Sequence, residues 1–114
     1  MLTEIRPWGQ YTILGSGDGY QIKLIVINPN SRLSLQKHKH RAERWYILEG
    51  TPTVTIKGRE FPISAGSAIN IPIGGIHRIG AENETVKFIE IQTGDYFGED
   101  DIERFEDDFG RIND

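Results

Sequence analysis

At 114 residues, 37% hydrophobic and 26% charged, the chain has the size and make-up of one folded domain, which excludes intrinsic disorder and leaves little room for a second core. Its 17 acidic and 13 basic side chains give a net charge of -4 at pH 7, which argues against nucleic acid or an anionic membrane as partner, though a local basic cluster could still hold a small phosphate. With no cysteine there is neither a disulfide nor a thiolate metal site, so a metal must be held by histidine, carboxylate or amide oxygen.

Residues 1–19, MLTEIRPWGQYTILGSGDG, read as an N-terminal arm. They are too polar for the apolar stretch of an export signal, and no later run is long enough to span a bilayer, so a soluble, cytoplasmic protein is expected. From Tyr20 onward short extended runs alternate with turn residues: YQIKLIVIN, LSLQKHKH, ERWYILEG, TVTIKG, REFPIS, AINIPIGG, HRIG and VKFIEIQTG, each bounded by Gly, Pro, Asn, Ser or a short polar turn. Seven or eight strands at this spacing predict an all-β sandwich or barrel over residues 20–94. Residues 95–114 break the pattern. In GEDDIERFEDDFGRIND, Ile102, Phe105 and Phe109 at i, i+3 and i+7 predict a short C-terminal helix with its acids toward solvent.

The chain has three histidines, and two of them, His38 and His40, stand two positions apart in QKHKHRAERWYILEG. On a strand they would project from one face roughly 7 Å apart and could converge on one ion, with Lys37 and Lys39 turned away. After the RA turn, Glu43, Trp45 and Ile47 share a face of the next strand, which brings Glu43 beside the pair if that face is inward. His77 follows the Pro72–Gly75 turn in IPIGGIHRI and completes a possible set of three histidines and one glutamate. Such a set suits one divalent cation: Zn is favoured, and Mn, Co, Ni or Fe(II) are chemically possible. A chance pair of histidines on an alternating strand is the competing explanation.

The segments HKHRAERWYILEG and GSAINIPIGGIHRI resemble the two motifs of the cupins, with Gly66, Pro72, Gly74 and His77 matching the second in order and spacing. Only Arg41 and Ala42 separate His40 from Glu43, fewer than is general in cupins. RPWGQYTIL, RLSLQKHKHRAERW, IPIGGIHRI and GEDDIERFEDDFGR together resemble, over nearly the whole chain, the isomerase domain of type II phosphomannose isomerases, which shares that short gap. Lys39 and Arg44 stand where that family often has further histidines.

The resemblance implies a cupin jelly-roll barrel with His38, His40, Glu43 and His77 as metal ligands. It implies interconversion of mannose 6-phosphate and fructose 6-phosphate, feeding GDP-mannose synthesis, in a family where a guanylyltransferase domain commonly precedes the isomerase domain. Proton transfer between C1 and C2 needs a base not committed to metal, and Glu90, which shares a strand face with Phe88 and Gln92, is the candidate. For the phosphate the candidates are Lys23, Arg41 and Arg78. Gln36 could partner a ligand imidazole or add a ligand, and Trp45 could wall the sugar site or pack in the core. A homodimer, with arms exchanged to cover sheet edges, is expected. The competing functions are a metal- and sugar-phosphate-binding module without catalysis, working beside a separate guanylyltransferase, and a cupin enzyme acting on another substrate, such as an Fe(II) oxygenase.

Overall fold

A computed structural model describes residues 2–111, and each regular element among them is a β-strand. The expected arm is itself sheet: β1 (Leu2–Arg6) and β2 (Gly9–Gly17) form an antiparallel hairpin, so the N-terminus folds back on its own chain. There follow β3 (Tyr20–Ile27), β4 (Leu35–Lys37), β5 (Arg41–Glu49), β6 (Thr53–Ile56), β7 (Arg59–Pro62), β8 (Ala68–Ile71), β9 (His77–Gly80), β10 (Val86–Gly94) and β11 (Glu103–Glu106). They form a six-stranded sheet in the order β1-β2-β3-β10-β5-β8 and a five-stranded sheet in the order β11-β4-β9-β6-β7.

The period-2 alternation of the long strands determines what lies between the sheets. In β5, Arg41, Glu43, Trp45 and Ile47 are buried while Arg44, Tyr46 and Leu48 are exposed. In β10, Val86, Phe88, Glu90 and Gln92 are buried, and in β3 Lys23, Ile25 and Ile27. Register then stacks these positions into rows: Ile25, Phe88 and Ile47 face one another across three strands, the next row is Lys23, Glu90 and Trp45, and beyond it come Gln92 and Glu43. One end of the interior is therefore apolar and the other polar. The apolar end joins Val54 and Ile79 of the opposite sheet in the core. Each fully buried side chain there stabilises the fold by about 1.5–3 kcal/mol.

Two expectations about the elements are corrected. The residues expected to form a C-terminal helix carry β11, which pairs antiparallel with β4. A helix of so few turns nucleates poorly, whereas the open edge of β4 offers backbone partners at once. Ile102 and Phe105 are half-buried and Phe109 is 40% exposed, so the three do not form one buried face. The second correction is that β4 stops at Lys37, and residues 38–40 belong to a loop. That loop runs against Gly94, where a Cβ would fall 2.0 Å from the His40 carbonyl oxygen and φ is +155°. Only glycine lets β10 pass so close.

Candidate functional site

The polar end of the interior gathers residues from β3, β4, β5, β9 and β10. Glu43 lies at its centre with 2% of its side chain exposed. His38 Nε2 is 3.2 Å from Glu43 Oε2, and His77 Nε2 is 3.7 Å from Oε1. The other nitrogen of each ring is tied to backbone: His38 Nδ1 to the Asp101 carbonyl at 2.6 Å, His77 Nδ1 to the Gly75 carbonyl at 2.8 Å. A carbonyl can only accept, so both Nδ1 atoms carry the proton and both Nε2 atoms are aimed inward. This is how metal-binding imidazoles are commonly oriented. One ligand atom from each of His38, Glu43 and His77 lies within 4.8 Å of the others, and the donor set of two imidazoles and a carboxylate fits a divalent cation.

The same centre explains the titration behaviour. Burial alone would raise the pKa of Glu43, but the contact with His38 and the fields of His77 and Arg41 hold it well below the usual carboxylate range. Glu90 responds the other way. Burial and the neighbouring Glu43 carboxylate push its pKa up to about 8. Glu90 Oε1 accepts from Trp45 Nε1 at 3.1 Å and Oε2 accepts from Gln92 Nε2 at 2.7 Å. Trp45 Nε1 also donates to Glu43 Oε1 at 3.0 Å, so the indole braces both carboxylates while its ring packs on Phe88 and His77. Burial lowers the pKa of His77.

His40 does not join this group. Its side chain is 52% exposed, with Nδ1 3.3 Å from Asp95 Oδ1 and its ring against Tyr96. The expectation assumed strand alternation through position 40. Because the chain leaves the sheet after Lys37, the spacing no longer places the two imidazoles on one face. Gln36, paired in register with His77, lines the cavity and donates to the Ser34 carbonyl and hydroxyl.

Lys23 and Arg41 flank the carboxylates. Lys23 Nζ is buried, lies 4.1 Å from the centroid of the Tyr11 ring and donates to Glu99 Oε2 at 3.0 Å. Arg41 Nε donates to Glu43 Oε2 at 2.9 Å, and its Nη1 is buried without a hydrogen-bond partner among the described residues. Arg78 borders the same cavity, but Nε donates to the Leu33 carbonyl, Nη1 to the Glu106 carboxylate and Nη2 to the Glu106 carbonyl. Its donors brace β11 and are not directed at a ligand.

Glu99 and Asp101 escaped the sequence reading because the acidic run was taken as a solvated helix face. Asp101 is buried, and its carboxylate accepts the backbone N–H groups of Lys39 and His40 at 2.9 Å each, which holds the loop that carries His38. Glu99 joins Lys23, Arg41, Glu43, His38 and His77 in enclosing a cavity of about 60 Å³, also lined by Arg6, Tyr11 and Ile102.

Residues 2–107 match a known family, described as mannose-6-phosphate isomerase C-terminal. The alginate biosynthesis protein AlgA of Pseudomonas aeruginosa is 44% identical over 107 residues, covering 93% of this chain and 22% of that one. The mannose-1-phosphate guanylyltransferase ManC of Salmonella typhimurium is 41% identical over 108 residues, covering 94% of this chain and 22% of the relative. The chain thus spans less than a quarter of the length of these curated relatives. Among solved structures, the cupin domain of Schizosaccharomyces pombe Cnp3 superposes with a TM-score of 0.71 over 75% of this chain and 64% of that one, at 17% identity, a likeness of fold alone.

Proposed function

The chain belongs to the mannose-6-phosphate isomerase C-terminal family, and from that premise we propose that it is a metal-dependent isomerase interconverting mannose 6-phosphate and fructose 6-phosphate. The observation that carries this is the buried convergence of His38, Glu43 and His77 beside the cations Lys23 and Arg41. His38, Glu43 and His77 would hold one divalent ion, with Zn favoured over Mn, Co, Ni and Fe(II). Bound there, the ion would polarise the oxygens on C1 and C2, where charge develops in an enediol reaction.

The chain's own residues divide the remaining work. Glu90, fixed by Trp45 and Gln92, is assigned the proton that moves between C1 and C2. Lys23 and Arg41 are assigned the phosphate. Trp45 walls the site and holds Glu43 and Glu90 at a constant separation. The product feeds GDP-mannose synthesis in the cytoplasm, in keeping with the guanylyltransferase named among the relatives. We assign the working form as a homodimer. Leu24, Ile89 and Tyr46 form an apolar row across the outer face of the six-stranded sheet, with Leu48 alongside, and a second copy would cover it.

The test follows fructose 6-phosphate formation by chelator-stripped chain refilled with Zn, Mn, Co, Ni or Fe(II), with a His38→Ala/His77→Ala double variant as control. Turnover restored by metal and absent in the control is expected. Stoichiometric metal uptake with no turnover for any ion would sink the isomerase assignment and leave a metal- and sugar-phosphate-binding module.

A further inference from the structure

Glu99 stands where an anionic ligand would have to bind. It lies in a turn closed by the Asp101 N–H donating to the Gly98 carbonyl at 3.1 Å, and Asp101 fastens that turn to the His38 loop. From this anchored backbone the Glu99 side chain reaches inward until Oε2 is 3.0 Å from Lys23 Nζ and 3.9 Å from Arg41 Nη1. The two cations are buried, with 4% and 6% of their side chains exposed, whereas Glu99 is 50% exposed. Burial raises the Glu99 pKa less than Lys23, Arg41 and Arg6 lower it, so its carboxylate is charged.

The distances describe a pairing that is satisfied on one side and incomplete on the other. Lys23 Nζ donates a full hydrogen bond to this carboxylate, while Arg41 Nη1 is buried and has only its longer ionic contact. A carboxylate has two oxygens on one plane, and the half-exposed Glu99 reaches both cations with a single oxygen. A tetrahedral oxyanion could offer separate oxygens to each. The cavity behind Glu99 is also small. Its volume of about 60 Å³ is well below the roughly 300–1,000 Å³ of ordinary ligand pockets.

We propose that the Glu99 carboxylate is a built-in occupant of the anion site formed by Lys23 and Arg41, and that an anionic ligand binds by displacing it. Only the choice of a sugar phosphate as that ligand rests on the isomerase assignment. The exchange keeps the cations paired: two buried cations lose one anion and gain another, so neither is left unpaired in the low-dielectric interior. A neutral sugar offers no such compensation. Glu99 is therefore a specificity-determining residue, selecting for a charged ligand by making entry of an uncharged one costly. Rotation of one half-exposed side chain is enough to open the site, since Asp101 and not Glu99 holds the turn in place.

The test is calorimetric titration of inorganic phosphate, and separately of mannose, into the wild-type chain and into E99Q, E99D and E99Q/K23M, at one salt concentration, with fold checked by circular dichroism. E99Q removes the internal competitor and its repulsion, and should bind phosphate about tenfold more tightly than wild type, while mannose, with no charge to pair with the freed cations, should stay the weaker ligand in both. E99D keeps the charge and should stay near wild type, and E99Q/K23M should lose the gain. Unchanged or weaker phosphate binding by E99Q overturns the proposal. An equal gain in E99D would make the effect one of room and not of charge, and would also overturn it. A gain that survives K23M would place phosphate elsewhere, with the same consequence. Binding is read without turnover, so a chain inactive as an isomerase would still show the gain.

Discussion

Glu43 is the residue on which the site depends, because His38, His77, Arg41 and Trp45 all address its two oxygens. Its place was legible: alternation along ERWYI puts Glu43, Trp45 and Ile47 on one face, and those side chains are buried. His40 was misplaced by the same rule, applied three residues past Lys37, where the strand ends. His40→Ala should therefore leave metal stoichiometry and affinity unchanged, while His38→Ala or His77→Ala should weaken affinity at least tenfold, as measured by competition with a chromophoric chelator. Metal loss in His40→Ala would require the loop to rearrange around the ion. For Glu90, replacement by glutamine keeps the hydrogen bond from Trp45 Nε1. In the metal-loaded chain it should lower kcat by about 10²–10⁴ with metal content retained. A kcat near wild type would remove Glu90 as the base.

At the scale of elements, the strands from Tyr20 to Gly94 were readable as alternating runs between turns, whereas the C-terminal segment was not. Its apolar spacing is compatible with a helix, and only the free edge of β4, supplied by residues far away in sequence, makes extended pairing the better solution. The segment ends in a turn held by Asp107, which accepts from the Phe109 and Arg111 N–H groups and from the Arg111 guanidinium. Burial raises the Asp107 pKa, but these donors lower it more, to below the ordinary 3.8. A carboxyl with a depressed folded pKa contributes stability that is complete above the unfolded value and lost as pH falls through the folded one. Amide exchange at Phe109 and Arg111, corrected for its intrinsic pH dependence, should thus lose protection below about pH 3.8 and not above it. Asp107→Asn should show the same loss at neutral pH. Protection unchanged in Asp107→Asn would mean that β11 pairing alone holds the turn.

For the whole molecule, an interior apolar at one end and polar at the other follows from three adjacent strands changing inward chemistry at matching positions. Most outward positions of those strands are themselves apolar, Arg44, Lys87 and Thr93 excepted, with Tyr46 45% and Leu48 47% exposed. Strands about 4.8 Å apart and about 3.3 Å per residue give a six-stranded face of roughly 700 Å², close to the roughly 800 Å² each partner commonly buries in a stable interface. Sedimentation at micromolar concentration should report a dimer, and Tyr46→Glu/Leu48→Lys should convert it to a monomer with its metal retained. A wild-type monomer, or a variant that stays dimeric, would remove this face as the interface.

Alternation, turn residues and the paired motifs are properties of contiguous chain, and they sufficed for an all-β domain and for the inward faces of the long strands. The same local patterns singled out His38, Glu43 and His77, which the fold brings together, and His40, which it does not. Closure between distant segments decided the rest: that residues 38–40 leave the sheet, that Arg78 braces β11, and that Glu99 and Asp101 return to the site. The physical reason is that an acidic side chain is solvated or buried according to which cations and N–H groups the fold brings to it, and no local spacing records those partners.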